Sequence, residues 1–185
     1  NIENIIGVST LLLEKKLLTP LELQNTVKTF QGVKRRMELL SQGSSVLVFE
    51  GFGSSYEKAK AAYESAKLHF PNNRLITVFE PHTFSWRNRA SLSWYDSIFN
   101  LCDKVYIYHP ATQGAKTHDQ LTQEEIVERV KKTGKDVEAV KDNASLLSDL
   151  SSELKPGDVV LLMTSGDLGG LIVDIPAFVE KQFPK

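Results

Sequence analysis

The sequence has little that would place this chain outside the cell or in a membrane. Its one cysteine, Cys102, cannot form an internal disulfide, and its neighbours Phe99 and Leu101 predict a buried thiol rather than a nucleophile. A reducing, cytoplasmic setting fits this composition. No apolar run approaches the roughly 20 residues that a membrane span needs, and nothing at the start resembles a signal peptide.

An excess of one charge is also lacking. The formal net charge of -1 gives no electrostatic basis for binding nucleic acid or an anionic membrane. The four histidines lack the spacing to cysteine or carboxylates that a metal site needs, and residue order alone assigns no Ser-His-Asp arrangement. The hydrophobic content of 41% and the charged content of 24% are ordinary for a globular domain with an attached piece.

The chain opens with Asn1-Ile2-Glu3-Asn4, without a methionine and already inside an apolar helical pattern, which predicts a fragment of a longer protein. Residues 1–32 are expected to form a hairpin of two short helices, the second opened by Thr19-Pro20, that needs another surface to cover its apolar face. The stretch Val33 to Leu40 is expected to be an edge strand or an extended connector at the start of a second domain, residues 33–185.

From residue 45 onward, strand and helix patterns alternate. This order predicts an α/β fold: a Rossmann-like, doubly wound, mostly parallel sheet with helices on both faces, preceded by the helical hairpin. The predicted strands are Ser45–Phe49, Leu75–Glu80, Lys104–Tyr108, Asp136–Val140 and Asp158–Thr164. The predicted helices are Tyr56–Phe70, Ser85–Leu101, Thr122–Lys132, Ala144–Leu154 and Ile175–Gln182.

Ligands in open parallel sheets gather beyond the carboxyl ends of the strands, and the first loop to consider is Glu50 to Ser55. Its glycines allow a tight turn, Ser54 or Ser55 can cap the following helix, and free amides there suit an anion. It matches neither a complete dinucleotide fingerprint nor a phosphate loop, so a plain strand-to-helix turn is the alternative.

Two further loops carry unusual densities of polar residues. Glu80 to Arg89 holds a histidine and two arginines that can bind a carboxylate, although helix capping by Thr83 or Ser85 and solvated arginines would also explain it. Thr164 to Gly170 holds three glycines, which allow close approach of a ligand or simply a sharp turn. The longest loop, Pro110 to Leu121, is expected to be exposed, and Lys34-Arg35-Arg36 is interpreted as a solvated charge run.

With these residues assembled, the chain resembles the C-terminal domain of the Mur ligases, and within that family most resembles the branch that ligates murein tripeptide. The resemblance covers nearly the whole chain. It lies in Asn1-Ile2-Glu3-Asn4, which is similar to the end of the family's His-Asn-x-x-Asn motif, in Phe30 to Glu38, in His82-Thr83-Phe84-Ser85 and in Leu162 to Gly170.

The resemblance implies an ATP- and Mg²⁺-dependent ligase that joins UDP-N-acetylmuramate to an L-Ala-γ-D-Glu-meso-diaminopimelate-type peptide. N-terminal and central domains of the same chain would hold the UDP-sugar and the phosphate loop, so this fragment alone is expected to be inactive. The implied nucleotide-side residues are Asn4, Arg36, Gly51 and Ser54. The implied substrate-side residues are His82, Thr83, Ser85, Arg87, Ser165, Gly166, Asp167 and Gly169. No catalytic or metal-ligating residue is assigned.

One departure from the family pattern concerns the first loop. Gly51 stands where the family has a nucleotide-contacting Asp, and Ser54 stands where it has a His. Strand alternation is expected to direct the adjacent Glu50 to the opposite face. The alternatives are an L-alanine-adding ligase, a degenerate ligase-like protein that binds muropeptide, and an ordinary small-molecule-binding α/β domain.

Overall fold

The computed structural model describes residues 2–30, 32–112 and 119–185. By internal contacts the chain divides into two compact units, Asn1–Val33 and Lys34–Lys185. Gly114, Lys116 and His118 of the predicted long loop lie outside the described residues. No helix within the described ranges is long and apolar enough to cross a membrane.

The first unit consists of the two predicted helices, α1 (Ile2–Glu14) and α2 (Pro20–Thr29). The predicted start of α2 is confirmed, because Thr19 forms a capping box with Glu22 and Pro20 occupies the first turn. Neither helix contains a buried residue, so the hairpin exposes the apolar face that its sequence predicts. An apolar groove runs between the helices. Its lining includes Ile5, Val8, Leu12, Leu23, Val27 and Phe30.

The second unit is built on a six-stranded sheet with the order β1-β2-β6-β3-β4-β5. Its strands are β1 (Arg36–Leu39), β2 (Leu47–Gly51), β3 (Leu75–Phe79), β4 (Lys104–Ile107), β5 (Val137–Ala139) and β6 (Val159–Met163). β1 pairs with β2 in the antiparallel sense, and the other pairings are parallel. The mostly parallel sheet is therefore confirmed, and the stretch from Val33 to Leu40 does contain an edge strand.

Helices and 3₁₀ segments connect the strands. They are α3 (Tyr56–His69), α4 (Phe84–Arg87), a 3₁₀ helix (Arg89–Asp96), α5 (Gln123–Lys131), α6 (Asn143–Glu153), a 3₁₀ turn (Leu168–Gly170) and α7 (Leu171–Gln182). The single helix predicted from Ser85 to Leu101 is wrong. Asn88 ends α4, and its side chain then accepts a hydrogen bond from the amide of Ala90, so the chain restarts as a 3₁₀ helix.

The two faces of the sheet have separate apolar cores. On one face, Phe79 and Leu161 pack with Tyr63 of α3 and Ile126 of α5. On the other, Val48, Val78 and Leu162 pack with side chains of α6 and α7. The strands β2, β3, β4 and β6 contribute residues to both cores in alternation, as the pleat requires. The predicted helices on both faces are therefore confirmed.

The strand β1 enters the sheet through a distorted backbone. Arg35 and Met37 have φ values of 61° and 58°, and the register with β2 shifts between Arg36 and Glu38. Residues other than glycine rarely adopt this left-handed backbone conformation unless the surrounding structure stabilises it. The amide of Arg35 donates to the Glu38 carboxylate at 2.8 Å, which fastens the bend.

Candidate functional site

The three polar loops predicted from the sequence share one edge of the sheet. They follow β2, β3 and β6, and these strands are neighbours in the order β2-β6-β3. Gly51 of β2 and Phe79 of β3 are both in register with Met163 of β6. The loops therefore begin at the same level. Their side chains come together even where they are distant in sequence, since more than 80 residues separate Glu80 from Thr164.

Three cations surround one aromatic ring at the β2 end of this edge. The ring of Phe52 has the guanidinium carbon of Arg36 at 4.8 Å, that of Arg35 at 5.2 Å and Nζ of Lys58 at 5.8 Å from its centroid. Arg36 and Lys58 are exposed, and Nζ of Lys58 donates to Oγ of Ser54 at 3.0 Å. We call Phe52 and its three cations, Arg35, Arg36 and Lys58, the Phe52 cation cluster. It presents positive charge on an aromatic platform, as an anionic ligand requires.

Arg35 links this cluster to the loop after β6. Its Nε donates to the carboxylate of Glu50, and its Nη2 donates to the carbonyl oxygen of Gly166 at 2.6 Å. Glu50 is only 5% exposed. It shares strand parity with Val48, whereas Gly51 contacts the opposite core, so the predicted direction of Glu50 is confirmed. Arg35 is thus a brace rather than part of a solvated charge run, which corrects the interpretation from the sequence.

The loop after β3 places a histidine against a buried carboxylate. Oε1 of Glu80 lies 3.1 Å from Nδ1 of His82, and Oε2 of the same carboxylate accepts a hydrogen bond from the hydroxyl of Thr164. The amide of Gly166 donates to that hydroxyl at 2.8 Å. We call these four residues the His82 corner. Together with Arg35 and Glu50 they form one continuous chain of polar contacts across β2, β6 and β3.

The remainder of the loop after β3 ties it to the loop after β2. Thr83 Oγ1 donates to the carbonyl of Ser54 at 3.0 Å, and the indole of Trp86 donates to that of Gly53 at 2.6 Å. Thr83 occupies the N-cap position of α4 without a capping bond from its side chain, and Ser85 is half-buried within that helix.

Arg87 points inward from the same loop. Its guanidinium donates to the carbonyls of Thr83 and Ala111, the latter at 2.6 Å, and the residue is 6% exposed. Burial lowers the pKa of Arg87. Arg87 therefore braces the loop through backbone contacts.

The loop after β6 is shaped by its glycines. Asp167 accepts a hydrogen bond from the amide of Gly169, whose φ is 61°. A Cβ on Gly169 would lie 2.2 Å from the Tyr108 hydroxyl, so a glycine is needed there. Burial raises the pKa of the Tyr108 hydroxyl, and the charges of Glu80 and Asp167 raise it further. The buried Oγ of Ser165 has no hydrogen-bond partner among the described residues.

Gly51 and Gly53 make room for one methionine. A Cβ on Gly51 would lie 2.4 Å from Sδ of Met163, and a Cβ on Gly53 would lie 2.7 Å from its Cε. Met163 therefore fills the space in which side chains at both positions would begin. Ser55, at the N-cap of α3, makes no capping bond with its side chain, so the expected serine cap is absent there.

Asn4 belongs to the first unit. It lies on α1, where it is exposed at the rim of the apolar groove.

Sequence reasoning missed Arg35, Lys58 and Asn143 as contributors to this edge. Asn143 begins α6, and its amide donates to the carbonyl of Gly169 at 2.7 Å. Lys58 had a local signal, because it lies four residues after Ser54, one helical turn into α3. Arg35 and Asn143 had no such local signal, since the residues to which they hydrogen-bond at this edge are distant in sequence. Within the described residues, no group of three His, Cys, Asp or Glu side chains is arranged to hold a metal ion.

Comparison with known proteins identifies the family. Residues 35–166 match the family model described as "Mur ligase, glutamate ligase domain". The UDP-N-acetylmuramate–L-alanine ligase of Desulforapulum autotrophicum is 28% identical over 181 residues, which cover 96% of this chain and 39% of that protein. This chain therefore spans less than half the length of that relative.

Solved structures share the fold. The UDP-N-acetylmuramate–alanine ligase of Thermotoga maritima superimposes with a TM-score of 0.72 at 20% identity, over 98% of this chain and 37% of that one. A murein peptide ligase from Psychrobacter arcticus gives 0.68 at 18% identity, over 89% of this chain and 33% of that one. The resemblance to the C-terminal domain of the Mur ligases is confirmed, and the chain belongs to that family.

Proposed function

We propose that this chain is the part of an ATP-dependent ligase that closes over the nucleotide and receives the incoming amine. The whole protein would join UDP-N-acetylmuramate to an L-Ala-γ-D-Glu-meso-diaminopimelate-type peptide during cell-wall recycling in the cytoplasm. ATP would phosphorylate the muramate carboxylate, and the amine of the peptide would displace phosphate from the acyl phosphate. The observation that carries the proposal is the single sheet edge that joins the Phe52 cation cluster to the His82 corner.

The Phe52 cation cluster suits the phosphate side of ATP. Arg36 and Lys58 are exposed cations on a common aromatic support, and Ser54 supplies a hydroxyl beside them. A guanidinium binds phosphate through two donors at once. In this proposal Asn4 faces the adenine side, as the family resemblance implies, and Gly51 leaves the first loop without the usual carboxylate.

The loops after β3 and β6 suit the incoming peptide. His82 is accessible, with 31% of its side chain exposed, and the hydroxyl oxygen of Ser165 has no partner in the part of the chain that the structure describes. Gly166 packs on the ring of His82, Gly169 follows in the same loop, and Asp167 adds a carboxylate that can pair with an ammonium group. In this proposal Thr83, Ser85 and Arg87 hold the shape of the acceptor side.

Residues 1–32 would be the end of the central, ATP-hydrolysing domain. The exposed apolar groove of the hairpin supports this assignment, because such a face is normally covered by the rest of a domain. Mg²⁺ would be held mainly by that central domain, and the chemistry it supplies is charge stabilisation on the transferring phosphoryl group. Within this chain, Arg36 and Lys58 would add to this stabilisation of negative charge on the phosphoryl group.

A second candidate substrate is L-alanine in place of the tripeptide. It is favoured by the sequence relatives, since the matched protein of Desulforapulum autotrophicum is named as an L-alanine ligase. The two candidates differ only in the acceptor amine. A degenerate, muropeptide-binding protein is the remaining alternative, and the Gly51 and Ser54 departures motivate it.

The test uses the full-length protein with UDP-N-acetylmuramate, Mg²⁺ and ATP. Amide formation is followed by mass spectrometry and phosphate release, with tripeptide and L-alanine offered in parallel. Faster turnover with tripeptide is the expected result. Faster turnover with L-alanine would support the second candidate, and no ATP-dependent product with either would favour the binding protein.

Arg36→Ala tests the nucleotide side of the assignment. Its apparent KM for ATP should rise about 10- to 100-fold, because a hydrogen bond to a charged group contributes about 1.5–3 kcal/mol. Arg129→Ala is the matched control, since Arg129 is a partly exposed arginine in the last turn of α5 that pairs with Asp96. Equal nucleotide dependence in the two variants would remove Arg36 from the site.

A further inference from the structure

The Glu80-His82 contact is built into a tight turn. The amide of His82 donates to the carbonyl of Glu80 at 2.8 Å across Pro81, which closes a three-residue turn. Proline fixes the backbone φ at its centre. The two side chains are thereby held on the same side, and the carboxylate reaches Nδ1 of the imidazole at 3.1 Å.

The carboxylate has its two oxygens engaged as acceptors. Thr164 donates its hydroxyl proton to Oε2 and itself accepts from the amide of Gly166. Glu80 is 7% exposed, so water contributes little to its solvation. Since a carboxylate only accepts, Nδ1 of His82 must carry a hydrogen, and the lone pair of the neutral ring lies on Nε2.

The other side of the imidazole remains reachable. Nε2 has no hydrogen-bond partner among the described residues, and 31% of the side chain is exposed. A Cβ on Gly166 would lie 2.5 Å from the ring, so the backbone of the loop after β6 packs directly on the histidine and fixes its plane. An oriented histidine with a buried carboxylate behind it and an open nitrogen in front is the arrangement of a general base.

We propose that His82 is the base that takes a proton from the incoming ammonium group, with Glu80 and Thr164 as its positioning residues. This inference rests on the proposed ligase function. Nε2 accepts one proton from the acceptor's ammonium, and the freed lone pair forms the new C–N bond to the acyl carbon. The C–O bond to phosphate then breaks, and the second amine proton leaves with the phosphate.

Acidic groups lie at the same end of the sheet as His82. Glu80 touches it directly, and Asp167 and Tyr108 lie at the same end of the sheet, since the charges of Glu80 and Asp167 both raise the pKa of Tyr108. Arg35 brings a positive charge to this corner, where it contacts the Gly166 carbonyl and is already paired with Glu50. Anionic neighbours stabilise the imidazolium that forms in the transition state.

Hydroxylamine separates the base from the rest of the reaction. It is largely unprotonated at neutral pH and traps acyl phosphates as hydroxamates without help from a base. Full-length wild-type protein and the variants His82→Gln and Glu80→Gln are each assayed with the preferred amine acceptor and, separately, with hydroxylamine. His69→Gln is the matched control, because His69 lies in the last turn of α3, away from this edge.

The expected result is a split between the two acceptors. His82→Gln should lose at least about a hundredfold in kcat for amide formation and keep hydroxamate formation close to wild type. Glu80→Gln should show the same split to a smaller degree, with little change in the KM for the acceptor.

Each other outcome decides a question. Equal loss with both acceptors in His82→Gln would mean that His82 serves acyl phosphate formation or folding, and would overturn the inference. Unchanged amide formation in His82→Gln would overturn it as well. If wild type forms neither amide nor hydroxamate, the proposed ligase function itself fails, which is a different result from loss in the variant alone.

Discussion

Restoring the family aspartate at Gly51 is expected to destabilise the protein before it helps nucleotide binding. From the sequence alone, Gly51→Asp is expected to tighten nucleotide binding, because it restores the carboxylate typical of the family. The structure adds a cost. Any Cβ at this position would begin 2.4 Å from Sδ and 3.6 Å from Cε of Met163, and 3.3 Å from Cδ1 of Leu161.

The size of this cost follows from packing. Met163 is fully buried, and its Cε already approaches the position of a Cβ on Gly53, so the methionine cannot simply rotate toward that side. Extra atoms forced into a filled core cost about 1–3 kcal/mol. For a protein of this length, each kcal/mol lowers the melting temperature by about 2–4 °C.

Thermal unfolding of Gly51→Ala and Gly51→Asp measures the steric and charge effects separately. Gly43→Ala is the control, since a Cβ there meets only ordinary contacts, the nearest at 3.6 Å from Glu180. Combining Gly51→Asp with Met163→Ala should cost less than the sum of the two single changes, because the smaller side chain vacates the space. Nucleotide affinity should then tighten in the double variant more than in Gly51→Asp alone.

If Gly51→Ala has the stability of wild type, Met163 has room to move and the steric argument is wrong. If the double variant is stable yet binds nucleotide no more tightly, the loop no longer presents residue 51 to the nucleotide.

Two further predictions concern the sheet's other end. Burial opposes ionisation of Asp103, but the hydrogen bond from the Leu75 amide and the ion pair with Lys67 outweigh it and lower its pKa. The charged form of Asp103 therefore stabilises the fold above the unfolded pKa, and this stabilisation is lost as pH falls through the lower folded pKa. Asp103→Asn should reduce stability at neutral pH and make stability depend less on pH below about pH 4. Unfolding of both proteins measured over a series of acidic pH values checks this. Burial raises the pKa of the Cys102 thiol, and alkylation should occur only after denaturation; labelling of the folded protein at the rate of a free thiol would contradict this.

The parallel sheet was predictable because its signals are local. Val159 to Met163 is a continuous apolar run, and a strand buried on both faces needs such a run. The direction of Glu50 followed from strand alternation in the same way. The stretch after Thr83 was harder to predict, because apolar spacing does not distinguish one long α-helix from two shorter segments. In the structure Asn88 separates a single α-helical turn from a 3₁₀ helix.

The candidate site was predictable as three loops but not as a set of contacts. Glycine and hydroxyl density marked each loop separately. The pairings of Arg35 with Glu50 and of Thr164 with Glu80 depend on strand order, and nothing in the sequence near these residues states that order. Arg87 was assigned to the ligand from residue type, whereas in the structure its Nε and Nη1 donate to the backbone carbonyls of Thr83 and Ala111.

The position of β6 has a consequence for synthesis of the chain. Of the six described strands this one is made last, yet it lies in the centre of the sheet between β2 and β3. Until Val159 to Met163 emerge, the nascent chain can form only two separate strand groups, β1-β2 and β3-β4-β5, each with an exposed apolar edge. The two halves of the ligand edge therefore cannot be joined before β6 is made, and a chain cut short before β6 would hold both halves without the strand that lies between them.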